Sequence, residues 1–158
     1  MIRWWPLYGL KRKLTEGKEY ESRIRLRFTP EKIFNRSLFV YAIDVGSSNA
    51  LNFEISALKS PQYNIHRFGI YFTDSPRHAD VLLVLGQPVP LMIDPLMETI
   101  NQLPKPFIII TIRDYPDRPG SVDFPELPNH IADLKGVPSP SEIIGLLLDV
   151  AKTKRKQS

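Results

Sequence analysis

Among its 158 residues the chain has no cysteine, and it has only three histidines. The missing thiols exclude disulfides, cysteine nucleophiles and every metal centre that depends on thiolate ligands. They say nothing about compartment, because reduced and oxidised proteins alike can lack cysteine. Long apolar runs are also missing: none approaches the roughly 20 residues that a bilayer-spanning helix needs. The opening stretch MIRWWPLYGLKRKL has neither the apolar segment nor the small-residue cleavage site of a secretion signal, so a cytoplasmic location is expected.

Phosphate-binding and nucleophile signatures are absent as well. There is no Walker A, no G-x-G-x-x-G and no G-x-S-x-G. The one glycine–proline turn of interest, Gly86-Gln87-Pro88-Val89-Pro90, carries prolines that remove the N–H groups a phosphate cradle uses. His66, His78 and His130 are not spaced from other ligand types as a zinc site requires, and a surface or interface role fits them better than a His66–His78–Asp80 site. No catalytic residue is assigned.

What is present reads as a single domain with basic ends. Hydrophobic residues make up 42% of the chain, which is ordinary for a globular protein, and the formal charge is +4. Residues 1–35 lack a clear period and are read as an extended arm, in which Trp4, Trp5 and Tyr8 lie beside Lys11-Arg12-Lys13. Aromatic rings next to lysines suit an anchor, and a protein partner is favoured over a membrane surface. Residues 36–151 form the domain, and 152–158 a basic tail. Basic residues crowd towards the two ends while the middle is close to neutral, which gives no nucleic-acid reading.

From Ser37 onward, apolar runs alternate with helical stretches, the pattern of βα units on a parallel sheet. Strands are expected at 38–43, 68–72, 81–85, 107–112 and 131–134, with the fourth central, and helices at 52–58, 91–103 and 141–154. Ser139 or Ser141 can cap the last helix. The fold class is therefore α/β, a flavodoxin-like three-layer arrangement on a mainly parallel sheet of four or five strands.

Three stretches carry a more specific signal: Asp44-Val45-Gly46-Ser47-Ser48-Asn49-Ala50-Leu51-Asn52-Phe53-Glu54; Ser60-Pro61-Gln62-Tyr63 through Arg67-Phe68-Gly69-Ile70; and Ser75-Pro76-Arg77-His78-Ala79-Asp80-Val81. Together they resemble the small electron-transfer subunit shared by respiratory complex I, its 20 kDa NuoB-like subunit, and the membrane-bound energy-converting nickel–iron hydrogenases. The hydrogenase type looks closer. The resemblance runs from about Ser37 to Ala151 and implies the flavodoxin-like fold, a 4Fe–4S cluster on four cysteines, and docking to a large hydrogenase-like or quinone-site-like subunit. The positions where it places the four thiolates are Ser48, Leu51, Tyr115 and Val137.

Soft, deprotonated sulfur is what such clusters bind, and leucine and valine offer no lone pair. The expectation is therefore a cluster-free, NuoB-like component of a membrane-associated oxidoreductase complex. It would serve as a structural or docking subunit, not as an electron carrier and not catalytic alone. The alternative is a flavodoxin-like protein with a replacement cofactor, such as flavin, in the same cleft. No cofactor and no metal are assigned. Glu54, Arg67, Arg77 and His78 match positions the resemblance retains and join Trp4, Trp5 and Tyr8 as docking candidates, with Glu54 as a buried acceptor. The complex would lie peripherally on the cytoplasmic side of the membrane, this chain touching the bilayer indirectly. Because an apolar void costs about 24 cal/mol per Å³, Ser48, Leu51, Tyr115 and Val137 are expected to plug the site, with Leu51 and Val137 substantially buried.

Overall fold

The computed structural model describes Tyr20 and residues 37–115 and 118–152. Within these lie five strands, β1 (Leu38–Gly46), β2 (Ile70–Phe72), β3 (Val81–Gly86), β4 (Ile108–Arg113) and β5 (His130–Lys135). Three α-helices accompany them: α1 (Asn49–Ala57), α2 (Pro90–Gln102) and α3 (Pro140–Lys152). All four strand pairings are parallel and the order is β2-β1-β3-β4-β5, the flavodoxin-like order of a doubly wound sheet.

β3 holds the middle place, where β4 was expected. Both strands are aliphatic enough for an interior position, because each is covered on both faces. Every residue of β3 from Val81 to Gly86 is buried, and β4 is buried from Ile108 to Ile112. β5, on the edge, alternates: Ile131, Ala132 and Leu134 face the core while His130 and Asp133 are only partly covered.

Two apolar layers flank the sheet. One packs Leu51, Ile55 and Leu58 and the α3 face Ile143, Ile144, Leu146, Leu147 and Val150 against Leu83, Ile110 and Ile131. Tyr20 joins this layer, 5% exposed and edge-on to Phe68 at 5.7 Å. The other packs Leu96, Ile100 and Leu103 of and beyond α2 against Val45, Leu82, Val84 and Ile109. α3 starts with a capping box: Ser139 Oγ accepts from Glu142 N while the Glu142 carboxylate accepts from Ser139 N at 2.9 Å.

β2 is short and pairs with only the first part of β1, from Leu38↔Ile70 to Val40↔Phe72, whereas β1 and β3 run together from Val40↔Val81 up to Gly46↔Gly86. The carboxyl half of the sheet is thus centred on β1, β3 and β4. The turns that leave those three strands build the candidate site.

Candidate functional site

A pair of glycines brings the β1–α1 turn onto the end of β3. Gly86 has φ +87°, and a Cβ there would come within 2.2 Å of Ser47 N; a Cβ on Gly46 would meet the Gln87 carbonyl at 2.4 Å. Only glycine allows two backbones to approach this closely. The register slips between Asp44 and Gly46, which frees the chain to turn into α1.

Asp44 organises this turn. Its carboxylate accepts from Gly46 N at 2.9 Å, Ser47 N at 2.7 Å, Ser47 Oγ at 2.9 Å and Asn52 Nδ2 at 3.0 Å. Burial by itself would raise the Asp44 carboxyl, but these bonds, led by Asn52, outweigh it and hold the group below the usual carboxylate range. Ser48 is the N-cap of α1, extended at φ −85° and ψ 159°, with its Oγ accepting from Leu51 N.

The segment after β4 reaches back to the same turn. Asp114 Oδ2 accepts from Ser48 N at 2.6 Å, and Arg118 Nη1 donates to the Gly46 carbonyl at 2.7 Å. Below them, Gln87 is 4% exposed and donates through Nε2 to the Val122 carbonyl at 2.8 Å. On the neighbouring edge Arg113 and Asp133 form a two-bond ion pair, and the buried Thr111 Oγ1 lies 2.9 Å from both Asp133 Oδ1 and His130 Nε2. Burial would raise Asp133 also, and Arg113 and Thr111 together bring it below the usual range.

The four positions singled out from the sequence do not share one environment. Leu51 is fully buried in the α1 layer, as expected; Ser48 is half-buried at the helix start. Tyr115 is 61% exposed and Val137 is 46% exposed, so the expectation that Val137 is buried is overturned, and with it a plug made of all four side chains. The reason is local: Val137 directly follows Gly136, which turns the chain at φ +85° out of β5, and the adjacent Pro138 takes the buried place. Sequence reasoning missed Asp114 and Arg118, the groups that do reach the turn. Their signal was an acid and a base just beyond the end of an interior strand, where open α/β sheets place ligand contacts.

These residues do not fit a four-iron cluster. Of the four positions the resemblance marks, Ser48 offers a hydroxyl oxygen but uses it as a cap; Leu51 and Val137 have no donor atom; and Tyr115 is largely exposed. Among the described residues no group of three or more histidine, aspartate or glutamate side chains could hold a metal ion, and no helix is long and apolar enough to cross a membrane.

The docking candidates divide. Arg67 and His66 lie in the 3-10 turn Ile65–Phe68 before β2, and Arg77 and His78 in the 3-10 turn Pro76–His78 before β3, so these sit at the amino ends of their strands, away from the glycine turn. Arg67 covers the Phe68 ring at 4.6 Å, and His66 stacks on Tyr71 at 5.2 Å. Glu54 is half-buried on α1. Trp4, Trp5 and Tyr8 lie outside the described residues. The segments that follow the carboxyl ends of the strands carry a different set of exposed apolar side chains: Phe53 is 72% and Leu91 88% exposed, and Tyr115, Val122 and Val137 are exposed as well.

Strand order and the glycine-hinged turn define the class, a flavodoxin-like α/β domain. No family model matches the chain. Its sequence is similar to a membrane-bound hydrogenase subunit and to a formate hydrogenlyase subunit, consistent with the NuoB-like resemblance. Over 98 residues, 62% of this chain, it is 37% identical to the probable membrane-bound hydrogenase subunit mbhJ of Pyrococcus furiosus. Over 91 residues, 58% of this chain, it is 37% identical to formate hydrogenlyase subunit 7 of Escherichia coli. The chain spans 57% of the first relative's length and 36% of the second's. A subunit in the structure of the membrane-bound sulfane sulfur reductase, an archaeal respiratory membrane complex, shares the fold with a TM-score of 0.59 at 20% identity, over 77% of this chain and 73% of that one.

Proposed function

We propose that this chain is a cluster-free, NuoB-like docking subunit of a membrane-associated, hydrogenase-like or complex-I-like oxidoreductase. It lies peripherally on the cytoplasmic side of the membrane and holds a large hydrogenase-like subunit without passing electrons itself. The observation that carries this reading is the donor set: an N-capping serine, a core leucine, an exposed tyrosine and an exposed valine stand where thiolates would be required. The similarity to the probable membrane-bound hydrogenase subunit mbhJ and to formate hydrogenlyase subunit 7 supports the assembly. Exposed apolar side chains at the carboxyl ends, Phe53, Leu91, Tyr115 and Val137, supply a docking rim, since large aromatic and aliphatic groups anchor interfaces.

A phosphate-bearing replacement cofactor fits less well. The N–H groups of Gly46, Ser47 and Ser48, which a phosphate at this turn would recruit, already donate to the carboxylates of Asp44 and Asp114. An anion placed there would meet two negative charges.

The test is purification of the tagged full chain from its native membranes in mild detergent, with mass spectrometry of what accompanies it. Co-purifying hydrogenase-like or complex-I-like subunits, lost when Phe53 and Leu91 are changed to Ser, are the expected result. A solitary protein carrying a flavin absorption band would replace this reading with the alternative.

A further inference from the structure

In the NuoB-like pattern, two of the ligand positions lie on the β1–α1 turn and one follows β4, so a bound cluster would tie those two segments together. This chain ties the same two segments without metal. Asp114, the residue after β4, takes the first free N–H of α1 at 2.6 Å from Ser48 N, and Arg118 takes the Gly46 carbonyl at 2.7 Å. A carboxylate at a helix N-terminus is favoured by the helix dipole as well as by the charge-assisted hydrogen bond. The two bonds run in opposite senses, acceptor to N–H and donor to C=O, and lie two residues apart on the turn. They therefore fix both its position and its rotation.

We propose that Asp114 and Arg118 form a latch that does the bridging work of the cluster and positions the docking rim. Phe53 is carried on the first turns of α1, whose start the latch holds, and Tyr115 is the neighbour of Asp114. The latch sets the two rim segments in register with each other. Its role as a docking element rests on the cluster-free docking reading above; its existence as a cross-link does not.

Hydrogen exchange of the full chain separates the two. In the wild type the Ser48 amide is protected. Asp114→Ala is expected to speed its exchange by at least about tenfold while amides of β3 such as Leu83 are unchanged. Asp114→Asn, which keeps an acceptor and loses the charge, falls between. Arg118→Ala, the milder change on an exposed side chain, is expected to loosen the same turn without altering β3. Unchanged Ser48 exchange in both Asp114 variants overturns the latch, whatever accompanies the protein from the membrane. A loosened Ser48 amide with undiminished recovery of partner subunits overturns the positioning role. Loosened exchange together with reduced recovery of partners establishes it.

Discussion

Leu51 and Val137 occupy equivalent places in the NuoB-like pattern and opposite places in the molecule. Leu51 is 0% exposed between α1 and the sheet, so Leu51→Ala removes core packing and is expected to cost about 2–5 kcal/mol in urea denaturation. Val137, 46% exposed, is expected to change by no more than about 0.5 kcal/mol when replaced by alanine. Equal effects would mean that the two share one cavity. The absence of cysteine was legible in the sequence because it needs only residue identity. The directions of the side chains were not, since Gly136 turns the chain at a positive φ that no period in the sequence reveals.

Asp44 and Asp133 give the residue scale its pH dependence. Both carboxyls are held below their ordinary value in the folded chain. A depressed folded pKa means that the unfolded chain binds the proton first. The stabilisation is therefore complete above the ordinary carboxylate value and is lost as pH falls through the depressed one. Asp44→Asn and Asp133→Asn are each expected to flatten the acid limb of a stability–pH curve, below about pH 4, while lowering stability near neutrality. An unaltered acid limb would show that these carboxylates are not shifted.

At the scale of elements, apolar runs marked the five strands and three α-helices of the described residues, with bounds that moved by up to three residues: β1 runs on to Gly46, and β2 begins only at Ile70. α1 begins at Asn49 because Ser48 caps it, three residues ahead of the expected start, and α3 begins at Pro140 behind the Ser139–Glu142 box. Ser139→Ala is expected to cost about 1 kcal/mol. Strand order was less legible. β4 is the more β-branched strand, yet β3 takes the middle because the chain, after pairing β2 along one edge of β1, returns along the other edge as β3. The close approach of Gly86 to Ser47 left only a glycine in the sequence to announce it. Gly86→Ala, at φ +87° with backbone 2.2 Å from the new carbon, is expected to destabilise by roughly 2–4 kcal/mol or to prevent folding, as judged by the denaturation midpoint. A stable alanine variant would mean that the turn can move away from β3.

At the scale of the molecule, the described residues keep a flavodoxin-like frame, and in the reading proposed above hydrogen bonds stand at one corner in place of a cluster. Protein–protein hydrogen bonds hold that corner, and exposed apolar side chains such as Phe53 and Tyr115 stand on the segments it joins. Both features suit a subunit that others pack against. Asp114 and Arg118 were legible in the sequence only as an acid and a base just beyond the end of an interior strand, and their partners on the β1–α1 turn were not, because nothing local in the sequence pairs them. The most direct test is the iron and acid-labile sulfide content of this chain, isolated under anaerobic conditions from its native complex. Sibling subunits bound to a chain that itself carries no iron is the predicted result. Four iron atoms and matching sulfide on this chain would contradict it.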